Sequence, residues 1–327
     1  MTYAKSRLML GIFCVGFYVL LSLNIVICKP LDIFLLSEIT SNYQFVYFAI
    51  QIFLIYLIIQ LPFDYLGGYF LPKKFAKTDK SFNQFVFCLV KGSLAQITFF
   101  TFCAFLYYYF SNVLGLFGII FISILSQITL LYFQQLFAKI VGSFKKQISN
   151  PEIIFIDSND KGFTGGISGI FKPSLITFPS FYKDILSDAE FETIIARRKL
   201  LENDLSFLNG RLLAIIFNLI GVIIAYLLIG SSFTNQSSIL HFISYQVLWS
   251  FIGLLIFPKF SRAAIFSLDK KLKKESFDLY CSAIKKIDAS YEDEFSRTEK
   301  LESVFHPLPS VARRIEKFNH NIENIDI

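Results

Sequence analysis

Few side chains in this chain of 327 residues can bind a metal, move a proton or attack a carbon. There are three histidines, His241, His306 and His320, and no two of them share a helical spacing. Catalytic zinc needs about three or four N, S or O donors near a tetrahedron, and H-E-x-x-H supplies two of them from one helix face. No His-Glu step occurs anywhere in the sequence. The five cysteines, Cys14, Cys28, Cys88, Cys103 and Cys281, form no C-x-x-C pair, and four lie in or beside apolar runs, where reduced thiols pack as small hydrophobes. A serine or cysteine nucleophile has no histidine placed to serve as its base. The glycine-rich run 162–170, GFTGGISGI, could cradle a phosphate, but no G-K-[ST] follows and no helix opens there. Its glycines are expected to turn tight hairpins in a small sheet.

The richest polar chemistry sits at 186–204, LSDAEFETIIARRKLLEND, a charged helical island in an otherwise apolar chain. Ser187 and Glu190 form a capping box, each side chain satisfying the other residue's free backbone N–H. Phe191, Ile194, Ile195, Leu201, Leu205 and Leu208 recur at three- and four-residue steps and predict one apolar face. Arg197, Arg198, Lys199, Glu202 and Asp204 occupy the other side. Before this helix, 153–156 and 174–179 read as strands, the second leading into the cap. After it, 270–327 mixes charge with Leu272, Phe277, Leu279, Ile284 and Ile287, which predicts amphipathic helices closing over the same region.

These elements must be carried by a membrane protein. Hydrophobic residues make up 54% of the chain and aromatic ones 17%, with 40 Phe and a single Trp. The net charge of +6 is modest and reads as basic membrane-flanking loops rather than a nucleic-acid partner. Apolar runs cover 8–28, 45–62, 84–110, 116–137, 212–230 and 243–258, six expected spans. The first follows Lys5 and Arg7 but has no small-x-small cleavage site after it, so it reads as a retained helix. Pro62, Gly67, Gly68 and Pro72 are expected to end the second span in a turn. Lys91, inside the third run, is expected to snorkel outward or pair with Asp64. Lysines gather in alternate loops, while 29–44, 111–115 and 231–242 hold only Lys29. The positive-inside rule then puts both termini and 139–211 in the cytoplasm.

The lead-in L-S-x-x-E-(x)5-A, followed by paired charged residues, resembles the active-site helix of integral-membrane zinc metallopeptidases of the HtpX and CAAX prenyl endopeptidase type. Those proteins read A-H-E-x-x-H at this point. Here the first histidine position is Arg197, the glutamate is Arg198 and the second histidine is Leu201. Residues 261–269 resemble the family's S-R-x-x-E-x-x-A-D, with Ser261, Arg262 and Asp269 kept, Ile265 in place of the glutamate ligand and Leu268 in place of the alanine. Phe305-His306-Pro307-Leu308-Pro309, then Arg313-Arg314-Ile315, resembles the closing H-P-P…R-I segment. Glu190, Ala196, Ser261, Arg262, Asp269, His306 and Pro307 are the retained positions, and the degenerate ones are Arg197, Arg198, Leu201 and Ile265.

The resemblance implies a mainly α fold: a polytopic membrane helix bundle of about six spans with a small cytoplasmic α+β metallopeptidase-like domain. The expected divisions are four spans in 1–144, the sheet and degenerate helix in 145–211, a transmembrane hairpin in 212–258 and a helical C-terminal part in 259–327. In the family the final aspartate of the 261–269 motif braces a zinc-binding histidine, so an Arg197–Asp269 ion pair is expected, with Arg198 turned to Glu202 or solvent. The alternative is that both arginines form a solvated face or meet lipid headgroups. Gly165, Gly166, Ile167, Ser168 and Gly169 are the candidate sheet edge for pairing with an extended peptide. The function expected is a non-catalytic scaffold, peptide-binding or regulatory subunit in the bilayer, with a membrane protein or peptide as partner and no cofactor. The alternative is an active metalloendopeptidase that holds zinc through atypical ligands. The expected location is a bacterial inner (plasma) membrane.

Overall fold

The structure, a computed structural model, describes residues 2–29, 38–134, 144–150, 153–158, 165–168, 175–233, 235–292, 302 and 308–323. The chain divides into two compact units. One comprises Arg7–Ser143 and Ala214–Ile252, the other Met1–Ser6, Phe144–Leu213 and Gly253–Ile327.

The first unit is helical. Its elements are α1 (Tyr3–Cys28, from Arg7 on), α2 (Asn42–Tyr65), α3 (Leu71–Lys74), α4 (Phe82–Leu114) and α5 (Leu116–Tyr132). Most of α8 (Leu205–Leu228) and the first half of α9 (Gln236–Asp269) complete it. Among the described residues five helices are long and apolar enough to cross a membrane: α1, Asn42–Lys74, α4, Leu208–Leu228 and α9. The chain is therefore a polytopic helical membrane protein. A span is also expected at 116–137; α5 has 17 residues, which is about 25 Å against a hydrocarbon core of about 30 Å. Residues 135–137 of that span lie outside the described residues.

Pro62 and the paired glycines do not end the second span, contrary to the sequence expectation. Helix α2 passes through Pro62, widens into a π-helical turn at Leu66–Phe70 and continues as α3. The Leu71 N–H bonds the Leu66 carbonyl five residues back, a wide turn that absorbs a local break in the α ladder. Packing explains the glycines: a Cβ on Gly68 would sit 3.1 Å from the Phe85 ring, and one on Gly67 would sit 3.3 Å from Leu10. Lys91 is exposed, and Asp64 instead accepts from Gln60 Nε2 at 2.8 Å. The core of the unit joins Phe45 and Phe48 of α2, Tyr108 of α4, Ile119 of α5 and Val222 and Tyr226 of α8. Phe45 and Tyr108 stack with centroids 4.2 Å apart.

The second unit holds the sheet: β1 (Phe144–Asn150), β2 (Ile153–Ser158), β3 (Gly166–Ser168) and β4 (Leu175–Pro179), in the order β1-β2-β4-β3. Strands β2 and β4 are parallel, and the outer two pair antiparallel. The two-residue period puts Ile153 and Phe155 of β2 beside Ile176 and Phe178 of β4 on one face. They pack against α6 (Tyr182–Ile185), α7 (Asp188–Asn203) and α10 (Lys274–Tyr291) through Tyr182, Ile194 and Ala283. Each fully buried Ile or Phe contributes roughly 1.5–3 kcal/mol. Helix α11 (Val311–Glu323) closes on α10, with Phe277 and Phe318 stacked at 3.7 Å.

Two boundaries differ from expectation. The apolar face predicted to run from Phe191 to Leu208 stops early, because Asp204 is extended (φ −85°, ψ 136°) and breaks the helix. Leu205 and Leu208 belong to α8 and are exposed, as the start of an apolar span should be. At the other end, the span expected at 243–258 is part of a longer helix: α9 runs through Pro258 to Asp269 and carries Ser261, Arg262, Ile265 and Asp269.

Helices α8 and α9 meet at a point that tolerates no side chain. Trp249 Nε1–H donates to the Phe217 carbonyl at 2.9 Å, and a Cβ on Gly221 would fall 2.1 Å from Trp249 Cδ1. Gly221→Ala should lower the apparent melting temperature in detergent by an amount equivalent to about 1–3 kcal/mol. Gly16→Ala, with nothing within 4 Å of its Cβ, should leave it unchanged.

Candidate functional site

Helix α7 starts where Ser187 and Glu190 cap each other: Ser187 N–H donates to Glu190 Oε2 at 2.8 Å, and Glu190 N–H donates to Ser187 Oγ at 3.4 Å. Glu190 is buried and does more than cap. Ser282 Oγ donates to its Oε1 and Lys286 Nζ to its Oε2, both at 2.7 Å, which ties α7 to α10. Burial pushes the carboxyl upward. The bonds from Lys286, the Ser187 N–H, Ser282 and the Ser187 hydroxyl outweigh burial and hold its pKa down at about 2.

About two turns later, Arg197 points into the unit and is 5% exposed. Its Nε and Nη2 donate to Asp269 Oδ1 at 3.2 and 3.0 Å. Nη2 also donates to the Ile265 carbonyl at 3.4 Å. Arg314 of α11 takes the same carboxylate in a fork, with Nε 2.7 Å from Oδ2 and Nη2 2.6 Å from Oδ1. Its Nη1 donates to the Tyr280 hydroxyl at 3.2 Å, and the guanidinium lies 4.7 Å from that ring's centroid. Burial works against the Arg314 charge, but Tyr280 and Asp269 outweigh it and raise its pKa above the ordinary arginine value. Three helices, α7, α9 and α11, are thus joined at one carboxylate that is 2% exposed.

For Arg198 the sequence suggests Glu202 or solvent, and the structure gives it partners on the sheet. Its Nη1 donates to the Thr177 carbonyl at 2.7 Å and the Gly166 carbonyl at 3.3 Å, and its guanidinium lies 4.2 Å from the Phe178 centroid. Two carbonyls converge at the end of the β3–β4 pair, beside an aromatic face, and together hold the planar guanidinium. Burial pushes its pKa below the ordinary arginine value. Gly165 makes the approach possible: its φ is +73°, and a Cβ there would lie 2.2 Å from the Thr177 carbonyl.

The other retained positions hold the frame. Arg262, 8% exposed, donates from Nη1 to the Glu302 carbonyl at 3.0 Å. The fully buried Glu302 carboxylate accepts from Ser310 N–H at 3.1 Å and pairs with Arg313 at 3.3 Å. Ala196 is exposed, and Ser261, Leu201 and Ile265 are half-buried. His306, Pro307 and Gly169 lie outside the described residues. The sequence marks Arg314 only as part of the segment resembling the closing R-I step, and it gives Arg314, Tyr280 and Lys286 no partner. The spacing Val311, Arg314, Phe318 was the available signal, since it puts Arg314 on the buried face of α11.

These residues do not fit a zinc ion. Arg197 and Arg198 are cations, Leu201 and Ile265 offer no side-chain lone pair, and Asp269 is already shared by two guanidiniums. Among the described residues no three His, Cys, Asp or Glu side chains converge.

No protein-family model matches the sequence, and no curated protein matches it. Among solved structures the chain is similar to Ste24p of S. mikatae, with a TM-score of 0.71 and 12% identity over 93% of this chain and 80% of that one. At that identity the likeness is one of fold, and at that level it supports the resemblance carried by 186–204 and 261–269.

Two outcomes follow from the charges. Asp269→Asn leaves two buried guanidiniums uncompensated and should cost about 3–5 kcal/mol, whereas Arg197→Met keeps the Arg314 fork and should cost less; thermal melts in detergent will rank them. Glu190 has a folded pKa of about 2, below the ordinary 4.5, so its contribution is complete above roughly pH 4.5 and is lost as the pH falls toward 2. Acid unfolding followed by tryptophan-independent probes, such as far-UV dichroism, should show this loss, and Glu190→Gln should flatten it.

Proposed function

We propose that this chain is a membrane metallopeptidase-like protein whose site has given up hydrolysis and serves as a scaffold, peptide-binding or regulatory subunit. The observation that carries the reading is the Arg197 guanidinium, bonded at once to Asp269 and to the Ile265 carbonyl. A metallopeptidase needs an electrophilic ion and a carboxylate that takes a proton from water. Neither Arg197 nor Arg198 can supply either role, because guanidinium neither ligates a metal nor accepts a proton near neutral pH. What remains useful is the scaffold: a short edge strand, β3, over a helix that carries two arginines.

In this reading Gly165, Gly166, Ile167 and Ser168 offer the edge along which an extended peptide adds a strand, with main-chain hydrogen bonds supplying affinity. The basic loops favour a cytoplasmic position for both termini and for this unit, in the inner membrane of a bacterium. The partner is then a membrane protein or a peptide segment presented near the bilayer.

Metal analysis of protein purified in detergent without chelators is the test. The reading expects zinc far below one ion per chain, no cleavage of casein, and the same melting curve with and without o-phenanthroline. Near-stoichiometric zinc, or cleavage that the chelator abolishes, would replace it with an active metalloendopeptidase.

A further inference from the structure

Three spans have an end at one polar cleft of the first unit. Helices α1 and α8 finish there, at Cys28 and Leu228, and α9 begins there at Gln236. The cleft measures about 220 Å³, and its polar lining is Lys29, Asn235, Ser237, Ser238, His241 and Tyr245. Glu38 bridges to Asn235 through the backbone but does not line the cleft. No lining residue is acidic, so Lys29 sets the sign of the charge. The three helix ends bring only partial charges of opposing sign, about half a unit each, against the full charge of one ammonium.

Bonds within the lining fix its shape and its character. Ser238 N–H donates to Asn235 Oδ1 at 2.8 Å, so the other arm of that amide is the N–H₂ donor. His241 Nε2 lies 3.3 Å from the Ile25 carbonyl, which can only accept, so this nitrogen carries the proton. In the neutral ring Nδ1 then accepts from the Ser237 hydroxyl at 3.3 Å. The His241 bond ties the start of α9 to the end of α1, so the cleft is formed before any ligand arrives. Two of its acceptors, Asn235 Oδ1 and His241 Nδ1, are engaged internally, and the lining offers an ammonium, an amide and a phenol as donors.

From this charge, these donors and the position of the cleft we infer that it binds the phosphate of an anionic phospholipid headgroup. Phosphodiester oxygens only accept, and basic pockets between membrane helices suit such headgroups. Lys29 repels the ammonium of a zwitterionic lipid, so a net-negative headgroup is preferred. Position separates a lipid from a soluble anion. Helices that cross a bilayer end at the headgroup level, and this cleft is built where three of them end. Its flank is apolar: Ile27, Leu227 and Leu228 are exposed on the last turns of α1 and α8, where acyl chains would run. The volume is below the roughly 300–1,000 Å³ of pockets that engulf a drug-sized ligand, which fits a headgroup held with its chains outside. None of this depends on the metallopeptidase-like reading above.

The test titrates the full chain in detergent with phosphatidylglycerol or phosphatidylcholine of the same acyl chains and counts bound lipids by native mass spectrometry. The first phosphatidylglycerol should bind about fivefold more tightly than phosphatidylcholine, the factor that one lysine near a headgroup supplies. Lys29→Gln should remove that preference and Tyr245→Phe should weaken it. Lys73→Gln, at an exposed lysine away from the cleft, should leave it unchanged. Lys29 is itself exposed, so its replacement does not threaten the fold. Equal binding of the two lipids, or a preference that survives Lys29→Gln, would overturn the inference. An equal loss from Lys73→Gln would mark diffuse surface charge and overturn it too. Displacement of phosphatidylglycerol by millimolar inorganic phosphate would mark a soluble-anion site and overturn the lipid.

Discussion

One carboxylate holds the second unit together. Asp269 sits at the end of α9, and its two oxygens take four N–H donors from Arg197 and Arg314. A single contact thereby fixes the rotation of α7, the end of α9 and the docking of α11. A metal ion can join several helices in this way because it is compact and multivalent. A guanidinium does it with planar, directional donors and an invariant charge. Removing the shared carboxylate leaves two buried guanidiniums in a low dielectric, which makes Asp269 the costliest member of the cluster to lose.

The unit divides this work between two scales of interaction. Apolar burial of Ile153, Phe155, Ile176 and Phe178 under α7 and α10 supplies the bulk of the stability. It specifies little about which way α7 turns about its axis. The polar ties set that: Glu190 to Ser282 and Lys286 in the first turn, Arg197 to Asp269 about two turns on, and Arg198, the next residue, to the sheet carbonyls. Together they bring the edge strand and the guanidiniums to the same helix, and any recognition by this unit depends on that placement.

Much of the fold was legible from local signals. An apolar run of about 20 residues has few soluble alternatives, so the long helices followed from composition. The Ser187–Glu190 cap is a contact three residues apart and needed no knowledge of the fold. Long-range effects were hidden. Pro62, Gly67 and Gly68 carry the local signature of a helix end, and only the approach of Phe85 and Leu10 explains why the helix goes on through a π turn. Arg197 and Asp269 are 72 residues apart, and only the family resemblance joined them on paper. Arg314 comes from a third helix that no local pattern points toward Asp269. The second use of Glu190 was masked by its first, since a residue already explained as a cap raises no further question.

The central claim is that a guanidinium–carboxylate cluster, rather than a metal, joins α7 to α9. A double-mutant cycle between Arg197→Met and Asp269→Asn, measured by reversible unfolding in mixed micelles with and without added zinc, tests it most directly. The account predicts a coupling energy of about 1–3 kcal/mol that zinc and chelators do not change. Additivity within about 0.5 kcal/mol, or a wild-type stability that rises with zinc concentration, would contradict it.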